Sequence, residues 1–135
     1  MKEVMAVIRQ NKINQTKEAL VEAGFSAFTA SRVNGRGKGL VDQQMLKGAS
    51  QGCVEAISQL GQGPKMYPKR LLTIVVPDDK VPKLVDAIIK SNQTGNAGDG
   101  KIFVMPIMEA IRVRTGETGD KAIDEIPLKK KKESA

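Results

Sequence analysis

Apolar positions recur with two different periods along the first third of the chain. Residues 2–9, KEVMAVIR, form a nearly continuous apolar run rich in Val and Ile, which is typical of a buried strand. The next segment places four residues on one helical face, at i, i+3, i+7 and i+10: Ile13, Thr16, Leu20 and Ala23. Gly24 is suited to end that helix. Residues 25–33, FSAFTASRV, alternate in part and predict a second strand.

The same order of patterns returns in the second half. Residues 70–76 and 101–108 are apolar runs that predict two strands. Between them, Asp78 and Asp79 are candidate helix N-caps, and Pro82 falls in the first turn. The apolar face of this helix repeats at i, i+3, i+4 and i+7: Val81, Leu84, Val85 and Ile88.

Two strand–helix–strand units in tandem predict an α+β fold, a ferredoxin-like βαββαβ sandwich with both helices on one face of a four-stranded sheet. The other face of the sheet would remain uncovered, so we expect self-association. Residues 34–68 separate the halves, and these 35 residues contain seven glycines. Such a length is unusual for a plain connection. The glycines at both ends favour a hinged interaction arm over an untidy insertion.

Composition narrows the chemistry. The chain has no histidine, 3% aromatic residues and a single cysteine, so transition-metal binding, base stacking and a disulfide framework are all disfavoured. We predict a cytoplasmic protein with no membrane partner, because it has neither a signal pattern nor a long apolar stretch. The scarcity of aromatic residues predicts that it has no nucleic-acid partner. The net charge is +7, of which LKKKKESA at the end supplies +3. We interpret residues 125–135 as a basic, disordered tail.

One glycine-rich segment raises the question of phosphate binding. Residues 94–104, TGNAGDGKIFV, satisfy G-x-x-x-x-G-K from Gly95 to Lys101. A phosphate loop of that kind runs from strand to helix and needs Ser or Thr after the lysine. Here the order is helix, loop, strand, and Ile102 follows the lysine. The segment is therefore not a Walker site, although its bare backbone still suits an anion.

Two further basic segments are candidates for the same site. NGRGKG, residues 34–39, places Arg36 and Lys38 among three glycines. IRVRTGE, residues 111–117, is predicted to present Arg112 and Arg114 on one face of an extended segment. Arginines and lysines that converge in this way suit a polyphosphate.

These segments together resemble a known family. TGNAGDGKIFV, then IRVRTGE and KAI, with TIVVPDD at residues 73–79, are similar to the signature of the PII nitrogen-regulatory signal-transduction family. The resemblance covers residues 1–33 and 68–124, and implies a domain over residues 1–124. It further implies a trimer that binds ATP or ADP between subunits, senses 2-oxoglutarate through the Mg²⁺ of ATP, and contacts a target through a long loop, here residues 35–68.

The resemblance also assigns residues by position. The implied nucleotide site comprises Ile8, Thr29, Gly35, Arg36, Gly37, Lys38, Gly95, Gly98, Asp99, Gly100, Lys101, Arg112 and Arg114. The implied 2-oxoglutarate site comprises Lys69, Lys38 and Gly39. The target-binding positions are Leu46, Lys47, Cys53, Ile57, Leu60 and Tyr67. No metal site is expected in the chain itself.

Departures from the family pattern indicate a branch. The start of the loop, GRGKG, is short and lacks the glutamine that holds magnesium, a role for which Gln43 or Gln44 are alternatives. The loop is longer than usual, and no tyrosine stands near its tip. These features resemble the nitrogenase-associated branch, whose members act as related chains, as homo- or hetero-oligomers, on dinitrogenase. A regulator of an ammonium channel or of glutamine synthetase is the alternative within the family.

Catalysis is disfavoured by the residues available. Without histidine, the duty of a general base would fall to Asp99 or Glu117. Asp99 is flanked by glycines and is better suited to shape the loop. We therefore predict a regulator rather than an ATP-hydrolysing enzyme. An RNA-binding sheet is also disfavoured, because Phe103 is the only aromatic residue in a central strand position.

Overall fold

The computed structural model describes residues 1–36 and 66–123. Its strands are β1 (Lys2–Arg9), β2 (Thr29–Gly35), β3 (Tyr67–Val76) and β4 (Lys101–Pro106), and its helices are α1 (Ile13–Glu22), α2 (Val81–Asn92) and the short α3 (Asp120–Ile123). The four strands form one antiparallel sheet in the order β2-β3-β1-β4. This order and the two helical crossovers confirm the predicted ferredoxin-like α+β fold.

The core lies between the helices and one face of the sheet. Alternate residues of β1 and β3 are buried, namely Val4, Ala6, Ile8, Leu72, Ile74 and Val76. They pack with the predicted helix faces, since Leu20 of α1 and Leu84 and Ile88 of α2 join the same cluster. The helices also contact each other. The short α3 also contacts β3.

The end of α1 differs from the prediction in where the next strand begins. Gly24 adopts a φ of 96°. The N–H of Phe25 donates to Leu20 O at 2.8 Å and that of Gly24 to Val21 O at 3.0 Å, a Schellman cap. Phe25 is 7% exposed and belongs to the core. It therefore closes the helix as its hydrophobic cap contact, and β2 begins only at Thr29.

The predicted N-caps of α2 are wrong. Asp78 and Asp79 lie in a single 3-10 turn, Asp78–Lys80, and the helix proper starts after Lys80, with no side-chain cap. The Asp78 carboxylate instead lies 3.0 Å from Lys2 Nζ and 2.9 Å from the Met1 amine. Pro82 stands in the first turn, as predicted. Asp78 thus ties the turn to β1.

The strands around the long insertion extend further than predicted. The β2–β3 ladder continues through Asn34↔Pro68 to Gly35↔Tyr67. Gly35, Tyr67 and Pro68, assigned to the loop over 35–68, therefore belong to strands. The remaining loop positions, residues 37–65, and the tail over 125–135 lie outside the described residues.

Candidate functional site: the glycine loop

The segment that follows α2 and ends at the first residue of β4, residues 94–101, is called the glycine loop below. Three of its residues have backbone conformations that favour glycine, with φ values of 85° at Gly95, 96° at Gly98 and 119° at Gly100. A Cβ at Gly100 would stand 2.1 Å from the carbonyl oxygen of Val7, in β1. Gly100 is thus required both by its conformation and by the close approach of the two backbones.

The carboxylate of Asp99 is the centre of this loop. It accepts hydrogen bonds from the N–H of Thr94 at 2.7 Å, from the N–H of Gly95 at 3.0 Å and from the Thr94 hydroxyl. These bonds, those of Thr94 first, hold the pKa of the Asp99 carboxyl well below its usual range. The loop therefore already surrounds one anionic group, the Asp99 carboxylate. This agrees with the prediction that Asp99 shapes the loop.

Two cations from neighbouring strands fasten the loop to the sheet. Arg9, the last residue of β1, donates from Nη1 to Asp99 Oδ1 at 2.7 Å and from Nη2 to Ala97 O at 3.1 Å. Lys69 of β3 is its direct neighbour across the ladder, and its Nζ lies 3.4 Å from Gly98 O. The loop conformation therefore depends on β1 and β3 as well as on its own residues.

The start of the loop is positioned by a polar contact between the helices. Asn92, the last residue of α2, is 5% exposed. Its Nδ2 donates to Thr16 Oγ1 of α1 at 3.0 Å and to Ile88 O at 2.9 Å. Gln15 adds a bond from Nε2 to Ser91 O at 2.7 Å. These bonds fix the point at which the chain leaves α2.

The loop leaves only some of its predicted anion donors available. The N–H of Gly95 is occupied by Asp99, so it is not a phosphate donor in this conformation. Within the described chain, the structure gives no hydrogen bond to the N–H of Gly98 or Gly100. The exposed side chain of Lys101 follows directly. An anion is therefore best placed at the Gly98–Lys101 end, and the residues present fit a phosphate group there.

A cavity of about 400 Å³ opens beside this end of the loop. It lies between the second half of α2 and the adjoining ends of β1 and β4. Its lining residues are Ile8, Val85, Ile88, Ile89, Asn92, Gln93, Asp99, Gly100, Lys101 and Ile102. Half of them are aliphatic, and the polar groups come from the glycine loop and the end of α2. Ile8, predicted to line the nucleotide site, lies on the helix-facing side of β1 and contributes to this cavity.

The remaining basic segment does not have the predicted form. Residues 107–119, called the C-terminal hairpin below, fold back on themselves, with a bridge between Ile111 and Thr118. Arg112 N donates to Glu117 O at 2.8 Å, and Gly116 N donates to Arg112 O at 2.7 Å. A turn therefore occupies the position of the predicted extended segment, and Arg112 and Arg114 are not successive residues of one strand face.

The two arginines of the hairpin have different surroundings. Arg112 is half-buried, and its Nη2 donates to Lys121 O at 2.7 Å, while Nη1 lies 3.8 Å from Glu117 Oε1. Arg114 is exposed at the turn. Of the other predicted nucleotide residues, Thr29 is exposed at the start of β2, opposite Thr73, and Arg36 is exposed just beyond β2.

Some predicted site residues lie outside the described residues. They are Gly37, Lys38, Gly39, Leu46, Lys47, Cys53, Ile57 and Leu60. Sequence reasoning in turn missed Arg9 and Thr94, which hold Asp99. The signal for Thr94 was its place one residue before the first loop glycine, where short hydroxyl side chains bond to nearby backbone. Arg9 could be found only once the ends of β1 and β4 were known to be adjacent.

Comparison with known proteins identifies the family of the chain. The sequence profile of the family described as nitrogen regulatory protein P-II matches residues 1–117. The nitrogen fixation nifHD region GlnB-like protein 2 of Methanothermococcus thermolithotrophicus is 48% identical, over 91% of this chain and 98% of its own. That of Methanobacterium ivanovii is 47% identical, over 91% and 99%. Nitrogen regulatory protein P-II 1 of Escherichia coli is 40% identical, over 91% and 100%.

A solved structure is similar as well. The crystal structure of Arabidopsis thaliana PII bound to citrate superposes with a TM-score of 0.68 and 33% identity, covering 93% of this chain and 92% of that one. The chain therefore belongs to the PII nitrogen-regulatory family. Its similarity to the GlnB-like proteins of nifHD regions places it in the nitrogenase-associated branch, as the resemblance in the sequence indicated.

Neither a membrane-spanning helix nor a cluster of metal ligands is found within residues 1–36 and 66–123. In that part of the chain, no helix is long and apolar enough to cross a membrane. The same ranges contain no group of three or more His, Cys, Asp or Glu side chains that would hold a metal ion.

Proposed function

We propose that this chain is a nucleotide-sensing regulator that binds ATP or ADP at the glycine loop and controls nitrogenase through residues 35–68. The observation that carries the proposal is the glycine loop itself. Asp99 and Arg9 hold its conformation before any ligand arrives, with Lys101 exposed beside the N–H groups of Gly98 and Gly100. A prebuilt anion site of this kind binds phosphate without first having to order its backbone.

The trimer belongs to the same proposal. The C-terminal hairpin exposes large apolar side chains, with Met108 and Val113 each 99% and Ile111 64% exposed. Exposed apolar residues that cluster in this way mark an interaction surface. A second copy that covers the hairpin would bring Arg112 and Arg114 to a neighbouring subunit. The proposed site therefore lies between subunits, with the arginines and the glycine loop contributed by different chains of a homotrimer or of a hetero-oligomer with a related chain.

The effector proposal rests on the cations near the loop. Lys69 Nζ and the Arg9 guanidinium both reach the glycine loop, from adjacent positions of β3 and β1. The Arabidopsis relative is bound to citrate, a polycarboxylate. We therefore assign 2-oxoglutarate to this end of the site, with Lys69 as one partner of its carboxylates and Lys38 and Gly39 as further contacts. ATP would supply most of the oxygens for the Mg²⁺ that accompanies it.

A regulatory role is favoured over catalysis. Asp99, the only carboxylate within the glycine loop, accepts four hydrogen bonds and is held as an anion, so it is poorly suited to remove a proton. Bound nucleotide would instead act by shifting the population of target-binding conformations. The relatives from nifHD regions support nitrogenase as the target. We place the protein in the cytoplasm, with that enzyme.

Isothermal titration calorimetry of the purified chain with MgATP, with and without 2-oxoglutarate, tests the proposal. Binding of ATP that 2-oxoglutarate tightens would make the chain a full sensor despite the missing glutamine. ATP binding that is indifferent to 2-oxoglutarate would place that sensing in a related partner chain. If MgATP does not bind, the assignment of a nucleotide site to the glycine loop is wrong.

The role of the long insertion has its own test. Deleting residues 51–64 should leave the ATP affinity unchanged and abolish inhibition of purified dinitrogenase. The glycine loop and the β2–β3 ladder end at residues that this deletion does not touch. If the shortened chain still inhibits, then the insertion is not the segment that contacts the target.

A further inference from the structure

Two arginines face each other across the β2–β3 ladder. Arg32 of β2 is directly opposite Arg70 of β3, and Arg70 is in turn opposite Ile8 of β1. Because side chains alternate along a strand, Arg70 lies on the same side of the sheet as the buried residues Ile8 and Leu72. Both arginines therefore lie on the helix-facing side, at the end of the sheet where the chain leaves for the long insertion.

Neither guanidinium has an anionic partner in the described parts of the chain. Ion pairs there join the Met1 amine, Lys2, Arg9, Lys90 and Arg112 to carboxylates, and none of them includes Arg32 or Arg70. The Nε of Arg70 has less than 1 Å² of accessible surface and no hydrogen-bond partner. A buried donor without an acceptor is rare in folded proteins and needs an explanation.

The surroundings add positive charge rather than removing it. The 3-10 turn Gln10–Lys12 packs against β3 and leads directly into α1. It contributes Lys12, and neither this turn nor the first turn of α1 contains an acidic residue. Like charges directly opposite each other in a sheet repel. This end of the helix-facing side of the sheet therefore combines Arg32, Arg70 and the turn that contains Lys12. The N-terminus of α1, the positive end of its helix dipole, follows that turn directly.

We propose that Arg32 and Arg70 form an oxyanion site that holds one phosphate or carboxylate group between their guanidiniums. Both guanidiniums present forks of N–H donors that match such a group, and a shared anion would remove their repulsion. β2 is an edge strand and Arg32 is exposed, so a ligand has access from that side. The bound anion would link β2 to β3 two residue pairs from Asn34↔Pro68, close to the base of the insertion.

This site is separate from the glycine loop. The cations that hold the glycine loop, Arg9 and Lys69, are opposite each other one position away along β1 and β3. Because of the alternation, their side chains leave the sheet on the other side from that of Arg70. The two sites therefore share one end of the sheet but not the same cations, and each can be tested while the other is disabled.

The experiment follows the arginine Nε–H signals of the full-length protein by heteronuclear NMR during titration at constant ionic strength. The chain has only six arginines, and the shielded Nε–H of Arg70 should exchange slowly enough to be seen. One titration uses inorganic phosphate and a second uses glutarate, so that the two sources of an oxyanion are distinguished. We expect the Arg70 signal to shift saturably, at millimolar concentration, with at least one of them.

Three variants decide the interpretation. Arg32→Gln should weaken the response of Arg70 at least tenfold. Lys83→Gln, which removes an exposed charge from α2, should leave it unchanged. Lys101→Ala, which disables the proposed nucleotide site, should leave it unchanged as well. The proposal is overturned if neither anion moves the Arg70 signal, if Arg32→Gln responds like the unaltered chain, or if Lys101→Ala abolishes the response.

Discussion

The glycine loop and the C-terminal hairpin are both irregular segments in which positive and negative side chains balance, but they are stabilised in opposite ways. The glycine loop is held by the side chain of Asp99 and by cations from two strands, and its glycines meet β1 at close range. The hairpin is held mainly by contacts within residues 107–121 and exposes Met108 and Val113 almost completely. The first segment is thus complete within one chain, whereas the second leaves apolar side chains exposed.

The difference indicates which part of the proposed site one chain can build alone. A subunit can arrange phosphate donors at Gly98, Gly100 and Lys101 without a neighbour. It cannot bury the apolar residues of its own hairpin. We therefore expect substitutions at the packed positions Asp99 and Gly100 of the glycine loop to act on the folding of the subunit. Substitutions of exposed side chains, at Lys101 and in the hairpin, should act on binding or on assembly. Variants in the two segments test that division.

The largest effect is expected for Gly100→Ala. Its Cβ would stand 2.1 Å from Val7 O, at a φ of 119°, so either the loop or β1 has to move. We expect a loss of more than about 3 kcal/mol in the free energy of unfolding, measured by urea denaturation, together with loss of ATP binding. Gly95→Ala is the matched control, because its Cβ would meet no atom within 4 Å. Gly95→Ala should lower the free energy of unfolding by only about 1–2 kcal/mol, because Gly95 has a left-handed backbone conformation. Similar losses for both variants would contradict the close packing of the loop on β1.

Nucleotide affinity should change next. Lys101→Ala and Arg114→Ala should each weaken ATP binding by about 2 kcal/mol, roughly 30-fold, because each removes a charge-assisted contact to phosphate. Both side chains are exposed, so the free energy of unfolding should change by less than about 0.5 kcal/mol. Lys83→Ala, on the exposed side of α2, serves as the control and should bind ATP normally. Calorimetry measures all three variants, and unchanged affinity in the first two would refute the site assignment.

Mixing the two affinity variants sharpens the comparison. If the loop lysine and the hairpin arginine of one site come from different subunits, trimers that contain both variant chains rebuild some intact sites. Such mixed trimers, prepared by co-expression with two purification tags, should recover a fraction of sites with unaltered ATP affinity. If instead each site takes both residues from one chain, no mixture recovers any high-affinity site.

A smaller effect is expected from Asp99→Asn, and it should depend on pH. The folded-state pKa of Asp99 is lowered, so its stabilisation is fully present above the unfolded value of about 3.9 and is lost as pH falls through the lower folded value. The unaltered chain should be more stable than the variant near pH 7, and the difference should shrink steadily below about pH 4. Urea midpoints at pH 7, 4 and 3 measure this. A difference that grows towards low pH would contradict the carboxylate-centred loop.

The smallest effect on the subunit itself is expected for the hairpin. Met108→Ser and Val113→Ser replace side chains that are 99% exposed, so subunit folding should change by less than about 0.5 kcal/mol. Assembly should weaken, and analytical ultracentrifugation across a dilution series should show more dissociated chain. Val21→Ser, at an exposed position of α1, is the control for surface polarity. Unaltered assembly in both hairpin variants would mean that the oligomer uses another surface.

Sequence reasoning predicted the regular elements well because their signals are local. β1 runs over the residues that its apolar run predicted, and the helix faces at Leu20 and Ile88 are buried as their spacing required. The errors lie where local rules compete. The pattern at Phe25 predicts the start of a strand, but Phe25 belongs to the C-terminal cap of α1. Asp78 is a predicted helix cap, but its carboxylate pairs with Lys2, which is far away in the sequence.

The site was predicted only in outline, for a similar reason. The glycines and Lys101 of the glycine loop are visible in the sequence, and so is the suitability of Asp99 for shaping it. The role of Arg9 is not visible, because it depends on the adjacency of strand ends that are 90 residues apart. The extended form predicted for residues 111–117 failed because a Gly116 turn and the Glu117 pairing fold that segment back.

The Gly35↔Tyr67 pair has a consequence for the evolution of this fold. It brings together two chain ends that are separated by residues 36–66, and the β2–β3 ladder behind it supplies the free energy that closes this connection. Closure entropy grows only with the logarithm of length, so a connection twice as long would cost only about 0.6 kcal/mol more. The scaffold can therefore exchange, lengthen or shorten its insertion at small thermodynamic expense, while the glycine loop on the other side of β1 stays as it is.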